Sequence, residues 1–324
     1  MNMSEAQAPL RFERVRTFGK IFGETRRFIR ENFSVFFKTI LFLVGPIALL
    51  TCTLNMFFQV NLIATGETPE FSKFGSYIAL TQIYTQIRWG INGLVTAIVV
   101  SHFVKVYREK GQGKFTVNDV TRSVLKDFFG NLLAFIVMFF SVALISTVLG
   151  YLIYGLAQVS IGAAILMIFA GWLAYILIRF PFWYYIFSVF FARTANDNAN
   201  VFKAMGIAGK MFSGNWWSTW MICFCMWLIL YIIGTAISMP AQIIAMIAQL
   251  STLEMSDKSA NMKLLETALL SLGEFAKTII NSVFCVTVAL QFFGTKEKID
   301  GEGTKKIVEM IGSKQEDESV EYTY

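Results

Sequence analysis

The chain has 324 residues, of which 55% are hydrophobic and only 15% charged, with 32 phenylalanines. A soluble domain of this size could not cover so much apolar surface, so most of it has to face lipid or other membrane helices. The formal charge of +6 does not point to nucleic acid, because the basic residues are distributed by membrane side and form no single stripe.

Residues 1–33 read as a cytoplasmic N-terminus. Arg11, Arg14, Arg16, Lys20, Arg26, Arg27 and Arg30 precede the first apolar run near Ser34, and no cleavable secretory signal is apparent. In Phe18–Phe33, apolar Phe18, Ile21, Phe22, Phe28 and Ile29 recur at helical spacing while Lys20, Arg27, Arg30 and Glu31 turn elsewhere. That pattern predicts an interfacial amphipathic helix.

Residues 34–293 follow as a six-span membrane domain. The spans are expected at about Phe36–Phe58, Arg88–Tyr107, Phe129–Tyr154, Ile161–Phe191, Trp217–Ser238 and Gly273–Phe293, since a crossing needs roughly 20 apolar residues. Pro46, Pro181 and Pro240 are the expected bend points, because proline removes a helical hydrogen bond and clashes with the preceding turn. Two more amphipathic segments precede spans three and five: Val117–Asn131, started by Thr116 with Asp119 in a capping-box spacing, and Val201–Asn215. Each of the three segments ends at an asparagine, Asn32, Asn131 or Asn215, which is the mark either of three tandem units or of chance similarity among apolar sequences. The external loop Asn61–Ser76 is too short for a domain. The tail, 294–324, ends in Glu316, Asp317, Glu318 and Glu321 and reads as solvated. The fold class is therefore all-α, a polytopic membrane helical bundle of about six transmembrane helices with three cytoplasmic interfacial amphipathic helices.

With the N-terminus inside, 22 Lys and Arg fall on the cytoplasmic side and 4 on the other, leaving Arg88 and Arg179 in or near the membrane. This positive-inside bias puts both termini in the cytoplasm of a bacterial inner (plasma) membrane. Lys20, Arg26, Arg27, Arg30, Lys203 and Lys210 then become candidate contacts for anionic lipid headgroups, at about 1 kcal/mol each.

Inside the spans, Thr81, Thr85, Arg88, Asn92 and Thr96 recur every three or four residues, forming a polar stripe that is either a cavity surface or interhelical contact with interfacial anchoring. Arg88 precedes Lys105 by about 25 Å of helix, which puts it near the outer interface within snorkelling reach. Arg179, two residues before Pro181, lies deeper, and a charge at depth usually faces protein or water. Glu274 and Lys277 read as an ion pair at the start of span six. His102 is the only histidine, so no multi-histidine metal centre is available. Cys52, Cys223, Cys225 and Cys285 sit in apolar runs as small buried hydrophobes. Asp197 is expected to cap the next amphipathic helix. No phosphate-binding loop, dinucleotide fingerprint, metalloprotease His pair or paired carboxylate appears, so neither a cofactor nor a catalytic set is expected.

The segment Ala199–Trp220, ANVFKAMGIAGKMFSGNWWSTW, resembles the A…S…G-N-W stretch entering a late span in the glycerophosphodiester phosphodiesterase membrane-domain family, although Gly206 to Gly209 replaces its serine. Gly23–Leu50, Val106–Val120 and Ala289–Gly312 resemble a Bacteroidetes family of six-span inner-membrane proteins. The resemblance runs nearly end to end on structural motifs. Some members carry a beta-carotene mono-oxygenase label, which the single histidine argues against, since that chemistry needs four histidines on iron. The resemblance also implies a setting among membrane proteins served by a MoxR-type ATPase. The expected function is a non-enzymatic scaffold or lipid-associated accessory component, with membrane lipids and other membrane proteins as partners. The alternative is a transporter or channel for a small solute or lipid that uses the span-two stripe.

Overall fold

The computed structural model describes the backbone over residues 10–64, 71–157, 161–196, 199–253 and 260–301, and most side chains over 10–54, 85–148, 177–247 and 268–301. The described residues are all-helical: α1 (Phe18–Leu43), α2 (Gly45–Ala64), α3 (Phe71–Lys110), α4 (Val117–Lys126), α5 (Phe128–Ala157), α6 (Ile161–Ala195), α7 (Val201–Phe212), α8 (Trp216–Leu253), α9 (Ala260–Ile280) and α10 (Ser282–Asp300). Among the described residues, three stretches are long and apolar enough to cross a membrane, Ile87–Lys110, Trp216–Pro240 and Ala268–Asp300, or up to five if each of two bent helix pairs is one crossing. The acidic tail, Asp197 and the centre of the external loop lie outside the described residues, as do the side chains in the first half of the fourth expected span.

The first amphipathic helix is not a separate element. Its buried residues, Ile21, Thr25, Phe28 and Asn32, continue in register into Phe36, Thr39 and Ile40, so one 3.6-residue stripe carries α1 through the expected boundary at residue 33. The break comes at Val44, where α1 and α2 meet at 46°, two residues before Pro46, which cannot donate to the preceding turn. The second boundary, at residue 293, also falls inside a helix, α10.

The second amphipathic segment does stand apart. Thr116 N–H donates to Asp119 Oδ2 at 2.8 Å, closing the expected capping box, and α4 meets α5 at 73°. Lys110, 2.7 Å from Oδ1, together with the Thr116 amide and hydroxyl, pulls the Asp119 carboxyl down to about 2. In α7 the cap is Asn200, whose side chain accepts from Phe202 N–H at 3.4 Å. The inner faces of these helices, Val120 in α4 and Val201, Ala204, Ala208 and Met211 in α7, are buried. Part of each apolar stripe is therefore spent on protein, while Leu125 of α4 and Phe202 of α7 stay exposed.

Neither of the other prolines ends a helix. α6 runs through Pro181 and α8 through Pro240 to Leu253, which carries the fifth helix well past its expected end at Ser238. Opposite that extension, Gly273 lies so close to α8 that a Cβ there would meet Ser238 Cβ at 3.0 Å, the small-against-small packing usual between membrane helices.

The N-terminal residues 10–17 fold under one end of the bundle, against α1, α3 and α10. Phe12 is 1% exposed and makes edge-to-face contacts with Phe28, Tyr107 and Phe293, ring centroids 5.5, 5.8 and 5.7 Å apart. Arg16 fastens this segment through Glu24 and the carbonyls of Phe12 and Arg14, at 2.7 and 2.9 Å. Arg108 joins it from α3, pairing with Glu13 and lying 4.4 Å from the Phe293 ring centroid. Truncating a buried phenylalanine costs about 3–5 kcal/mol. Phe12→Ala is expected to lower the thermal midpoint of the purified protein in mild detergent by many degrees, whereas exposed Val15→Ala leaves it in place. Equal midpoints for the two variants would show that residues 10–17 do not hold the bundle.

Candidate functional site

Three groups of interior polar residues contain the sequence-predicted candidates. The first joins α3 to α9. Arg88, on α3, is 9% exposed and reaches Glu274 Oε2 on α9 at 3.3 Å, while Lys277 Nζ holds Glu274 Oε1 at 3.0 Å. Arg88 also lies 5.9 Å from the Trp89 ring centroid. It does not snorkel: a carboxylate from a neighbouring helix sits within reach, so the guanidinium is held inside the protein. Glu274 bridges two cations, where sequence spacing gave it one.

The second group surrounds a partly open cavity of about 100 Å³, room for several water molecules. From α3 it takes Trp89, Asn92, Gly93 and Thr96; from α6, Arg179, Phe180, Trp183 and Phe187; from α8, Trp227 and Leu230. Thr278, Asn281, Phe284 and Cys285 close it from α9 and α10. Two members of the stripe and Arg179 thus share one space. Asn92 also ties α3 to α2, its Nδ2 donating to Thr51 Oγ1 at 3.0 Å. The hydroxyls of Thr96 and Thr278 donate to the Asn92 and Glu274 carbonyls of their own helices, at 2.7 and 3.0 Å. Gly93 sets the shape, because a Cβ there would meet Trp183 Cζ3 at 3.1 Å. Thr85 is half-buried on the same helix, outside the cavity, and the Thr81 side chain lies outside the described residues.

The third group contains His102 and is at the joint of α3, α4 and α5. His102 is fully buried. Its Nε2 lies 3.0 Å from Asn131 Nδ2 and 3.4 Å from Asn131 Oδ1, and Nδ2 also reaches Val124 O at 3.3 Å. Nδ1 lies 2.9 Å from Ser123 Oγ, so the ring is held at both nitrogens, by α4 through Ser123 and by α5 through Asn131. His102 joins α3 to α4 and α5 and does not belong to the cavity.

Beside it, Arg193 of α6, 3% exposed, donates to Asp127 Oδ2 at 2.5 Å and to the Gly130 carbonyl. These bonds hold the α4–α5 corner, and a Cβ on Gly130 would collide with the Arg193 guanidinium and the Asp127 carboxylate. Of the candidate headgroup contacts, Lys20, Arg26, Arg30, Lys203 and Lys210 are exposed, while Arg27 Nε is bonded to Glu31 Oε1 at 2.6 Å on its own helix.

Sequence reasoning missed Thr51, Thr278 and Asn281, and gave Arg193 no role beyond its charge. Polar residues three apart in an apolar run, such as Thr278 and Asn281, were the available signal. No protein-family model matches the chain, and no curated protein or solved structure does either.

Removing the space that Gly130 leaves for Arg193 breaks a buried ion pair, which costs about 3–5 kcal/mol. Gly130→Ala is expected to destabilise the protein far more than Gly206→Ala, where a Cβ would meet nothing within 4 Å, in a detergent thermal melt. Matching melts for the two variants would mean that Arg193 does not lock the corner.

Proposed function

We propose that the chain is a six-span inner-membrane protein with both termini in the cytoplasm, a non-enzymatic scaffold or lipid-associated accessory component that works through its cytoplasmic helices. The family resemblance belongs to the same proposal. The observation that carries it is the division of labour on α1 and α7. Their buried faces hold them to the bundle, while Lys20, Arg26, Arg30, Lys203 and Lys210 point away from it. Exposed Phe18, Phe33 and Phe202 accompany these cations on the same helices, and Trp217 follows at the start of α8. Fixed cations beside exposed aromatic rings suit the headgroup level of an anionic membrane, or a partner membrane protein at that level.

The test uses the full chain released from vesicles containing equal phosphatidylglycerol and phosphatidylcholine, with retained lipids counted by native mass spectrometry. Wild type is expected to retain phosphatidylglycerol preferentially. The quintuple variant K20Q/R26Q/R30Q/K203Q/K210Q is expected to lose that preference, and Arg27→Gln to keep it. An unchanged preference in the quintuple variant rejects the proposal.

A second reading, passage of a small solute or lipid, is favoured by the convergence of Asn92, Thr96 and Arg179 on one cavity. Flux in proteoliposomes that disappears in Arg179→Gln would support it.

A further inference from the structure

We propose that the α4–α5 corner binds one anionic glycerophospholipid, its phosphate between Arg122 and Lys126 and an acyl chain along the exposed stripe of α5. This rests on the membrane setting proposed above, but it puts a discrete site on an element to which that reading gives no role.

The charges of the corner do not cancel at its surface. Asp119 is held by Lys110 of α3 at 2.7 Å, and Asp127, the C-cap of α4, by Arg193 of α6 at 2.5 Å. Both carboxylates are thus taken up by cations from neighbouring helices. Arg122 and Lys126 of α4 are exposed. Four residues apart on one helix, their Cβ atoms are about 5–6 Å from each other, and like charges at that spacing weaken a helix. A phosphate placed between them relieves the repulsion and accepts charge-assisted hydrogen bonds from both.

The apolar part of the ligand follows from α5. Its exposed side chains begin at the corner with Phe129, 82% exposed, and continue through Leu132, Leu133, Ile136, Phe140 and Leu144. From residue 129 to residue 144 the stripe is about 22 Å long, more than the roughly 15 Å of hydrocarbon in one leaflet. Every described exposed residue of α5 is apolar. α4 meets this stripe at 73°, so a helix bearing cations lies across the top of a helix bearing hydrocarbon contacts. Lys126 and Phe129 are three residues apart, no more than about 11 Å between Cα atoms, within the compass of one headgroup and the start of its chain. A soluble acidic partner would meet the cations and leave the stripe uncovered. A zwitterionic lipid would cover the stripe but bring its own cation towards Arg122 and Lys126. An anionic phospholipid satisfies both.

The experiment reconstitutes the full chain in phosphatidylcholine vesicles doped with phosphatidylglycerol or phosphatidylcholine that carries a photoactivatable diazirine near the top of one acyl chain. Labelled peptides are then mapped by mass spectrometry. The phosphatidylglycerol probe is expected to label residues 129–136 roughly thirtyfold more than the phosphatidylcholine probe, the worth of two basic residues at an anionic lipid. R122Q/K126Q is expected to bring the two probes level there, and Arg122→Lys to keep most of the excess. All of these side chains are exposed, so a detergent melt of each variant should match wild type. Unlabelled long-chain phosphatidylglycerol is expected to displace the probe, and inorganic phosphate to leave it in place. Equal labelling by the two probes in wild type makes this ordinary bilayer contact and overturns the proposal. So does an excess that survives R122Q/K126Q, or displacement by phosphate alone. The quintuple variant K20Q/R26Q/R30Q/K203Q/K210Q is expected to keep the excess on α5. An unchanged overall phosphatidylglycerol preference in that variant, with the α5 excess intact, would fault the reading of α1 and α7 and support this site.

Discussion

Helix α10 has no free face. Every residue from Cys285 to Thr295 is buried, so this helix has to be surrounded, and the other helices are arranged by that requirement. Within a membrane, apolar side chains gain nothing by leaving lipid for protein, and the packing has to be secured by close contact and a few polar bonds. α10 supplies both. Thr287 Oγ1 lies 3.3 Å from Thr25 Oγ1 of α1, and Gln291 Nε2 donates to Thr219 Oγ1 of α8 at 3.5 Å. Gly294 lets the N-terminal segment approach so closely that a Cβ there would meet the Arg14 carbonyl at 3.2 Å. α8, on the periphery, exposes Leu228, Ile229, Tyr231, Ile232 and Ile233 in turn, as a lipid-facing helix does.

From that centre one end of the bundle is built as a set of locked joints. α4 turns by 73° into α5 and α7 follows closely on α6, and each such turn leaves backbone groups and polar side chains at the edge of an apolar medium, where every unmet one is costly. Arg193, Asp127 and the Gly130 carbonyl answer for the α4–α5 corner. His102, Ser123 and Asn131 answer for the crossing of α3. Phe12, packed by Phe28, Tyr107 and Phe293, fills the space that the splayed helix ends would leave.

The all-helical class, the capping box at Thr116 and the positions of most helices were legible because hydrophobic run length and helical period are local properties. The asparagine marks were legible as positions but not as roles. Asn32 donates to Phe28 O within α1, Asn131 holds His102, and Asn215 accepts from Thr219 N–H at the start of α8. Of these partners only His102 is distant in sequence, 29 residues from Asn131, and such a partner leaves no trace in spacing. The same reason hid the Arg88–Glu274 pair, separated by 186 residues, and made snorkelling the natural expectation for Arg88. The stripe was half legible: its period was right, and Asn92 and Thr96 do line a cavity, but only the fold brings Arg179 to them. α6 and α8 continue through Pro181 and Pro240, because a proline costs one helical bond and a clash that neighbouring helices can compensate in a membrane.

The cavity and the helix joints use similar residues in different proportions. At the joints, side-chain donors and acceptors are spent across helices, as Arg193 is on Asp127 and the Gly130 carbonyl. Around the cavity, Asn92 bonds across to Thr51 of α2, whereas Thr96 and Thr278 bond within their own helices and most of the wall is aromatic. Breaking a joint therefore leaves buried polar groups unmet, which is costly in an apolar medium, while altering the aromatic wall costs packing alone. That difference is why Arg193 acts as a structural clamp.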